Sequence, residues 1–199
     1  MVQQNQLRAG QLQSYTDLRH YKVSYRGFPL DLSASMVVEA TYQAPDIKRF
    51  HILSTKGSGL LIDHVLRKLL AAEQEAALHP SEAAISPSNY SFTLLGTGKL
   101  NGRRCYILRA DPKTSSQLLF RGRIWVDAAA FAVVQVEAEP AHSPSFWIKD
   151  THIHHVYART GRFWLPHSDR STTGVRFGGA AVLTINYGVY DPVSRDAKT

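Results

Sequence analysis

LLFRGRIWVDAAAFAVVQVEA, residues Leu118–Ala138, is the stretch that decides the fold. Phe120, Gly122, Ile124 and Val126 fall on one face, and Leu119, Arg121, Arg123 and Trp125 on the other. A period of two is the mark of a half-buried strand. After Asp127 and three alanines, Val134, Val136 and Ala138 alternate with Val133, Gln135 and Glu137. The pattern predicts an antiparallel hairpin with one apolar and one charged face. Most other strands repeat this design, so the question of function becomes what the apolar face packs against.

The chain has 199 residues, enough for one domain with a sizeable core. A net charge of +7 favours anionic surfaces in general. The basic residues are scattered along strands rather than gathered in one run, which argues against nucleic acid as a partner. Cys105 is the single cysteine, so no internal disulfide forms, and its place in RRCYIL fits a small buried thiol. No stretch approaches the length of a membrane-spanning helix. MVQQNQLRAG lacks the apolar core of a signal peptide. Either the protein is cytoplasmic, or it is exported and its leader is already removed from this sequence.

In chain order, residues from Gln3 to Leu18 read as a polar, weakly amphipathic helix, with Leu7, Leu12, Tyr15 and Leu18 as its apolar points. Three strands follow. Tyr21, Val23 and Tyr25 mark the first, Met36, Val38, Ala40 and Tyr42 the second, and Phe50 and Ile52 the third. LLIDHVLRKLLAAEQEAAL is the one strong helix. Leu61, Val65, Leu69, Ala72 and Ala76 recur at helical spacing, Ile62, Leu66 and Leu70 widen the stripe, and Ser58 is the expected N-cap. His79–Ser88 reads as a loop. From Tyr90 onward the pattern is strand after strand, with hairpin turns at Asn101-Gly102, Thr160-Gly161 and Gly178-Gly179. Asp191–Thr199 reads as a tail. The expected architecture is α+β, mainly β: a curved antiparallel sheet forming a half-open barrel of about ten strands. The N-terminal helix and the inserted helix would cover its concave face. No boundary or repeat divides residues 1–199, so a single domain is expected.

No motif names a reaction. His152 and His154 point the same way on a strand, about 7 Å apart at the backbone. An HxH pair needs a third ligand to hold zinc, for which His167 or Asp169 on the next strand is the candidate. An ordinary polar strand face is the preferred reading, with no metal and no cofactor. Ser168 and Asp169 adjoin His167 without a nucleophile-elbow motif. Glu137 and Glu139 share the solvent face, a poor place for general acid–base work. Trp125, Trp147, Trp164, Phe146 and Phe163 are candidates for an acyl-chain or peptide surface, with core packing the commoner fate.

Four segments carry a family resemblance: TYQAPDIKRFHILS, NYSFTLLGTGKLNGRRCYILRADPK, RGRIWVDAAAFAVVQVEAEP and RFWLPHSDRSTTGVRFGGAAVLTINY. With the helix–strands–helix–strands order, they resemble the LolA/LolB-like superfamily of bacterial lipoprotein carriers, in the branch of outer-membrane lipoprotein-sorting proteins. The resemblance covers nearly the whole chain. It implies a half-open barrel whose apolar concave face holds acyl chains, and a periplasmic location after export. One departure stands out. Where that family's carrier has an arginine before the strand-ending proline to tether its lid, this chain has Ala44 before Pro45. A lid held mainly by apolar contact follows.

These readings together predict a non-enzymatic, monomeric binding protein for a lipid or lipoprotein acyl chain, acting with membrane-bound envelope proteins. The alternative is an envelope sensor or scaffold that uses the same fold to bind a protein partner; a hydrolase on the histidine strand ranks last. The expected cavity lining is Met36, Val38, Tyr42, Phe50, Ile52, Leu61, Val65, Leu69, Phe92, Leu94, Ile124, Val126, Val134 and Val136.

Overall fold

A computed structural model describes residues 1–142, 148–176 and 178–194. Helix α1 (Val2–Gln11) leads directly into strand β1 (Leu12–Arg26), followed by β2 (Leu32–Gln43) and β3 (Ile47–Gly57). The insertion begins with α2 (Gly59–Leu61), runs through a π-helical turn (Ile62–Leu66) into α3 (Arg67–Leu78), and ends in the short α4 (Pro80–Ala83). Seven strands complete the main sheet: β4 (Tyr90–Leu100), β5 (Arg103–Pro112), β6 (Phe120–Asp127), β7 (Val133–Pro140), β8 (Ile148–Thr160), β9 (Phe163–Val175) and β10 (Ala180–Tyr187). The short β11 (Asp191–Ser194) follows.

All strand pairs are antiparallel, in the order β3-β2-β1-β10-β9-β8-β7-β6-β5-β4, with β11 added along β1. The expected half-open barrel is therefore present, but its order is not a plain meander. The chain's first and last long strands are neighbours, and the open edges are β3 and β4. Those two strands flank the helical insertion, so the insertion falls at the gap in the sheet.

The segment His79–Ser88, expected as a loop, carries the short helix α4 with Pro80 at its first position, and two boundaries also differ from expectation. The predicted helix over Gln3–Leu18 stops at Gln11, because Tyr15, Asp17 and Arg19 already alternate inward along β1. That alternation has a period of two, and sheet pairing with β2 and β11 overrides the weak helical spacing. The predicted tail begins with a strand, because residues Asp191–Ser194 find the β1 edge beyond the end of β10. Residues 195–199 lie outside the described residues. Ser58 does sit at the N-cap position, although its side chain makes no capping hydrogen bond.

One cross-strand row shows how the sheet is built. Met36, Tyr21, Ile185, Asp169, His155, Val136, Ile124, Leu108 and Leu94 are successive register partners across nine strands. They define the concave face. The next row, Lys22, Thr184, Arg170, His154, Glu137, Arg123 and Arg109, faces outward. In the central hairpin a bulge sets Val126 opposite Val133 while Trp125 opposes Gln135. Val133, not Val134, therefore joins the inner cluster; Val134 occupies the extra position, buried but outside it. Gly122 is required at this hairpin: a Cβ there would lie 2.2 Å from the Glu137 carbonyl oxygen.

Candidate functional site

The concave face does not pack as one core. One cluster joins Tyr21, Val23, Met36, Val38 and Ile185 to Leu61, Ile62, Leu66 and Leu70 of the insertion. A second joins Tyr90, Ala110, Ile124, Val126, Val133 and Val136 on β4–β7. Between them run β8 and β9, whose inward side chains Ile153, His155 and Asp169 belong to neither cluster.

One cavity occupies this interval, and a second lies beside it, between α1 and the β4–β7 cluster. The first, about 370 Å³, lies under α3 and is lined by Leu69, Glu73, Ile153, His155, Tyr157, Pro166, Asp169, Arg170, Ser171, Leu183, Ile185 and Tyr187. The second, about 380 Å³, lies under α1 and the 84–86 segment, against Leu12, Val133, Tyr157, Phe163, Trp164 and Leu165. Tyr157 lines both. Helix α1 is tied over the second cavity by Arg8, which donates to the carbonyls of Ala130 (2.8 Å) and Phe131 (3.3 Å) in the β6–β7 turn.

The first cavity carries a polar centre. His155 Nδ1 lies 2.6 Å from Asp169 Oδ1, and the Tyr187 hydroxyl donates to Asp169 Oδ2 at 2.6 Å. Burial and the Asp169 carboxylate push the Tyr187 phenol well above its ordinary pKa, so it remains a donor. Burial does the same to Tyr157, again reinforced by Asp169.

A second polar group holds the helix down. Glu73 of α3 accepts from Arg19 Nη1 (2.8 Å), Lys48 Nζ (2.9 Å) and the Tyr21 hydroxyl (3.2 Å). Arg19 is 1% exposed, bonded also to Asp17 and set over the rings of Tyr187 and Phe50. Burial opposes its charge, but the Asp17 hydrogen bond and the two carboxylates outweigh that and hold the guanidinium ionised. The expected apolar contact is present through Leu61, Ile62, Leu66 and Leu70, and Glu73 adds a polar tether that was not expected. With Ala44 in place of the arginine before the proline, an arginine from β1 supplies the tether instead.

The expected lining residues divide accordingly. Met36, Val38, Leu61, Ile124, Val126, Val134 and Val136 are buried, and Phe50, Ile52, Val65 and Phe92 flank the clusters. Tyr42 stacks on Tyr15 in a third, smaller cluster. Leu94 is 61% exposed, because the sheet edge at β4 has no cover there. Of the fourteen, only Leu69 lines a cavity described above. Sequence reading missed the β8–β10 residues because those strands mix polar and apolar side chains on one face. The available signal was the parity of Ile153, His155 and Tyr157 on β8.

The histidines separate by the same parity. His154 is on the outer face opposite Glu137, and His152 lies 3.4 Å from Glu139 on that face. His167 occupies a bulge between Pro166 and Ser168. Among the described residues, no three His, Cys, Asp or Glu side chains are grouped to hold a metal ion. Trp125 lies under Arg123 on the outer face, Trp164 borders the second cavity under Arg103, and Phe163 is core. Phe146 and Trp147 lie outside the described residues.

A larger hollow, about 870 Å³, is a broad open trough on the outer face along Arg109, Arg121, Arg123, Glu137, Glu139, His154 and Arg170. Its arginines are mostly paired: Arg123 with Glu137, and Arg109 and Arg121 with Asp111. Exposed ion pairs of this kind stabilise little and offer no dry surface. The smaller concave cavities carry the chemistry.

No family model matches the chain, and no curated protein matches it. Solved structures are similar to it over nearly its full length. A DUF1329 family protein from Desulfovibrio piger has 11% identity and a TM-score of 0.48, covering 100% of this chain and 91% of that one. A putative outer membrane lipoprotein-sorting protein domain from Vibrio parahaemolyticus has 10% identity and a TM-score of 0.45, covering 99% and 92%. A LolA superfamily protein from Nitrosomonas europaea has 10% identity and a TM-score of 0.40, covering 98% and 94%. These are likenesses of overall shape; the fold described above rests on the chain's own strand order.

Proposed function

We propose that this chain is a single-domain, non-enzymatic binding protein of the bacterial cell envelope, periplasmic in location, that holds a lipid or lipoprotein acyl chain on its concave face. The observation that carries this reading is the split core. Two apolar clusters flank a cavity of about 370 Å³ that side chains do not fill, and a second cavity, of about 380 Å³, shares the Tyr157 wall with it. Their size falls at the lower end of the roughly 300–1,000 Å³ of small-molecule sites. Leu69, Ile153, Leu183 and Ile185 supply apolar wall. Each methylene taken out of water contributes about 0.8 kcal/mol, so an aliphatic chain needs few polar contacts to stay bound. The covers on either side, α3 with its Glu73 tether and α1 with its Arg8 tether, supply two places where the site can open. Lipoprotein trafficking, with membrane-bound envelope proteins as donor or acceptor and the monomer as the working unit, is the role we assign.

Organic extraction of the purified protein, followed by lipid mass spectrometry, tests the proposal. Aliphatic lipid should be recovered in near-stoichiometric amount, and the extracted protein should take up an apolar fluorescent probe. Neither lipid nor probe uptake would reject it.

A further inference from the structure

Within the cavity under α3, the polar groups are selective about what they can receive. Asp169 has both oxygens engaged, Oδ1 with His155 Nδ1 and Oδ2 with the Tyr187 hydroxyl. A carboxylate can only accept, so Nδ1 carries a proton, and whenever the ring is neutral Nε2 keeps its lone pair. No partner for Nε2 exists among the described residues, and His155 lines the cavity. Ser171, two positions along β9 from Asp169, lines the same cavity with its hydroxyl also unpartnered among the described residues. Glu73 is already served by Arg19, Lys48 and Tyr21. Arg170 borders the space but belongs by register to the outer row, opposite His154.

The unused capacity is therefore one acceptor nitrogen and two hydroxyls, those of Ser171 and Tyr157, beside the Asp169 carboxylate; the hydroxyls can donate to any oxygen-bearing head group, so Nε2 is the group that discriminates. We infer that the cavity takes an aliphatic chain ending in a neutral hydrogen-bond donor, a hydroxyl or an amide N–H, which His155 Nε2 receives. An ester lacks the donor. A carboxylate also lacks it and brings a second negative charge toward Asp169, whose one basic partner among the described residues is His155. Asp169 acts here as a positioning residue: it fixes the imidazole tautomer and does not touch the ligand. This inference rests on the acyl-chain reading above and adds the head group to it.

The experiment uses the full chain after lipid extraction, at mildly alkaline pH, with an apolar fluorescent probe displaced by four ligands of equal chain length: a fatty alcohol, a fatty amide, the methyl ester and the carboxylate. The alcohol and the amide should displace the probe about fivefold more tightly than the ester, the worth of one net hydrogen bond. The carboxylate should be weaker than either. His155→Phe should close the gap between alcohol and ester. Asp169→Asn gives a signature that a merely structural role would not. Tyr187 still donates to the new amide's oxygen, its NH₂ faces His155 Nδ1, and the ring proton moves to Nε2; the ester should then gain on the alcohol. Equal displacement by alcohol and ester in the wild type, or preference for the carboxylate, would overturn the inference and leave the cavity reading standing. A wild type that never takes up the probe would remove both. The wild-type comparison decides the matter even where a variant fails to fold.

Discussion

Asp127 closes β6 with a carboxylate that serves three donors. Its Oδ1 accepts from the backbone N–H groups of Ala129 (3.0 Å) and Ala130 (2.7 Å), and its Oδ2 accepts from Arg103 Nε (2.6 Å). Burial alone would raise its pKa, but these hydrogen bonds outweigh it and hold the carboxyl below the ordinary value. A depressed carboxylate contributes stability that is present above the unfolded pKa and lost as pH falls through the folded one. Unfolding midpoints in urea should therefore drop below about pH 4, and Asp127→Asn should flatten that drop while lowering the midpoint at neutral pH. An unchanged pH profile in the variant would contradict this assignment. Arg19 is the opposite case, a buried cation held by buried or half-buried anions. Arg19→Met leaves Asp17, 2% exposed, without its partner and should cost about 3–5 kcal/mol in equilibrium unfolding. A loss under about 1 kcal/mol would mean the pair is not the buried unit described here. Asp127 was legible in the sequence as the bend between two alternating runs. His155 was not: the visible HxH spacing drew attention to His152 and His154, and only cross-strand register places their neighbour against Asp169.

The lid formed by residues 59–78 shows what an element adds to its residues. Its helical period was plain in LLIDHVLRKLLAAEQEAAL, yet the buried row is Ile62, Leu66 and Leu70, with Leu61, while Val65 and Leu69 stand at its flank. The π-helical turn over Ile62–Leu66 departs from the 3.6-residue repeat on which the stripe was counted. Leu66 is fully buried, and Leu66→Ala should cost about 2–5 kcal/mol of the lid's docking energy. Leu69 instead faces a cavity. Leu69→Asp should abolish uptake of an apolar probe while the β-sheet circular dichroism persists; unchanged uptake in the folded variant would reject the lid assignment. The tether was illegible for a simple reason. Arg19 and Glu73 are 54 residues apart, and nothing local in either segment announces the pairing. Glu73→Ala should accelerate amide hydrogen exchange across residues 59–78 far more than in β1–β2, because the lid loses its carboxylate anchor while Arg19 on β1 keeps Asp17. Equal acceleration in both would show that Glu73 supports the sheet as a whole.

At the scale of the molecule, the strand count and antiparallel character followed from hairpin turns and period-two alternation, both local properties. The pairing of β1 with β10 did not, because it joins the two ends of the chain and is set by closure of the curved sheet. That closure moves the opening to the β3 and β4 edges and puts β8 and β9 in the middle of the concave face, between the two apolar clusters. The interior space is thus a consequence of topology, which explains why the residues with the cleanest apolar alternation are packed while the mixed strands line the cavities. The measurement that bears most directly on this is photo-crosslinking of the lipid-extracted protein with a long-chain alcohol carrying a diazirine along its tail, followed by peptide mapping. Adducts should fall on Ile153 and Tyr157 of β8 and on Leu183 and Ile185 of β10. Adducts confined to outer-face residues such as Trp125 and Arg123, or none at all above background, would contradict a concave-face acyl site.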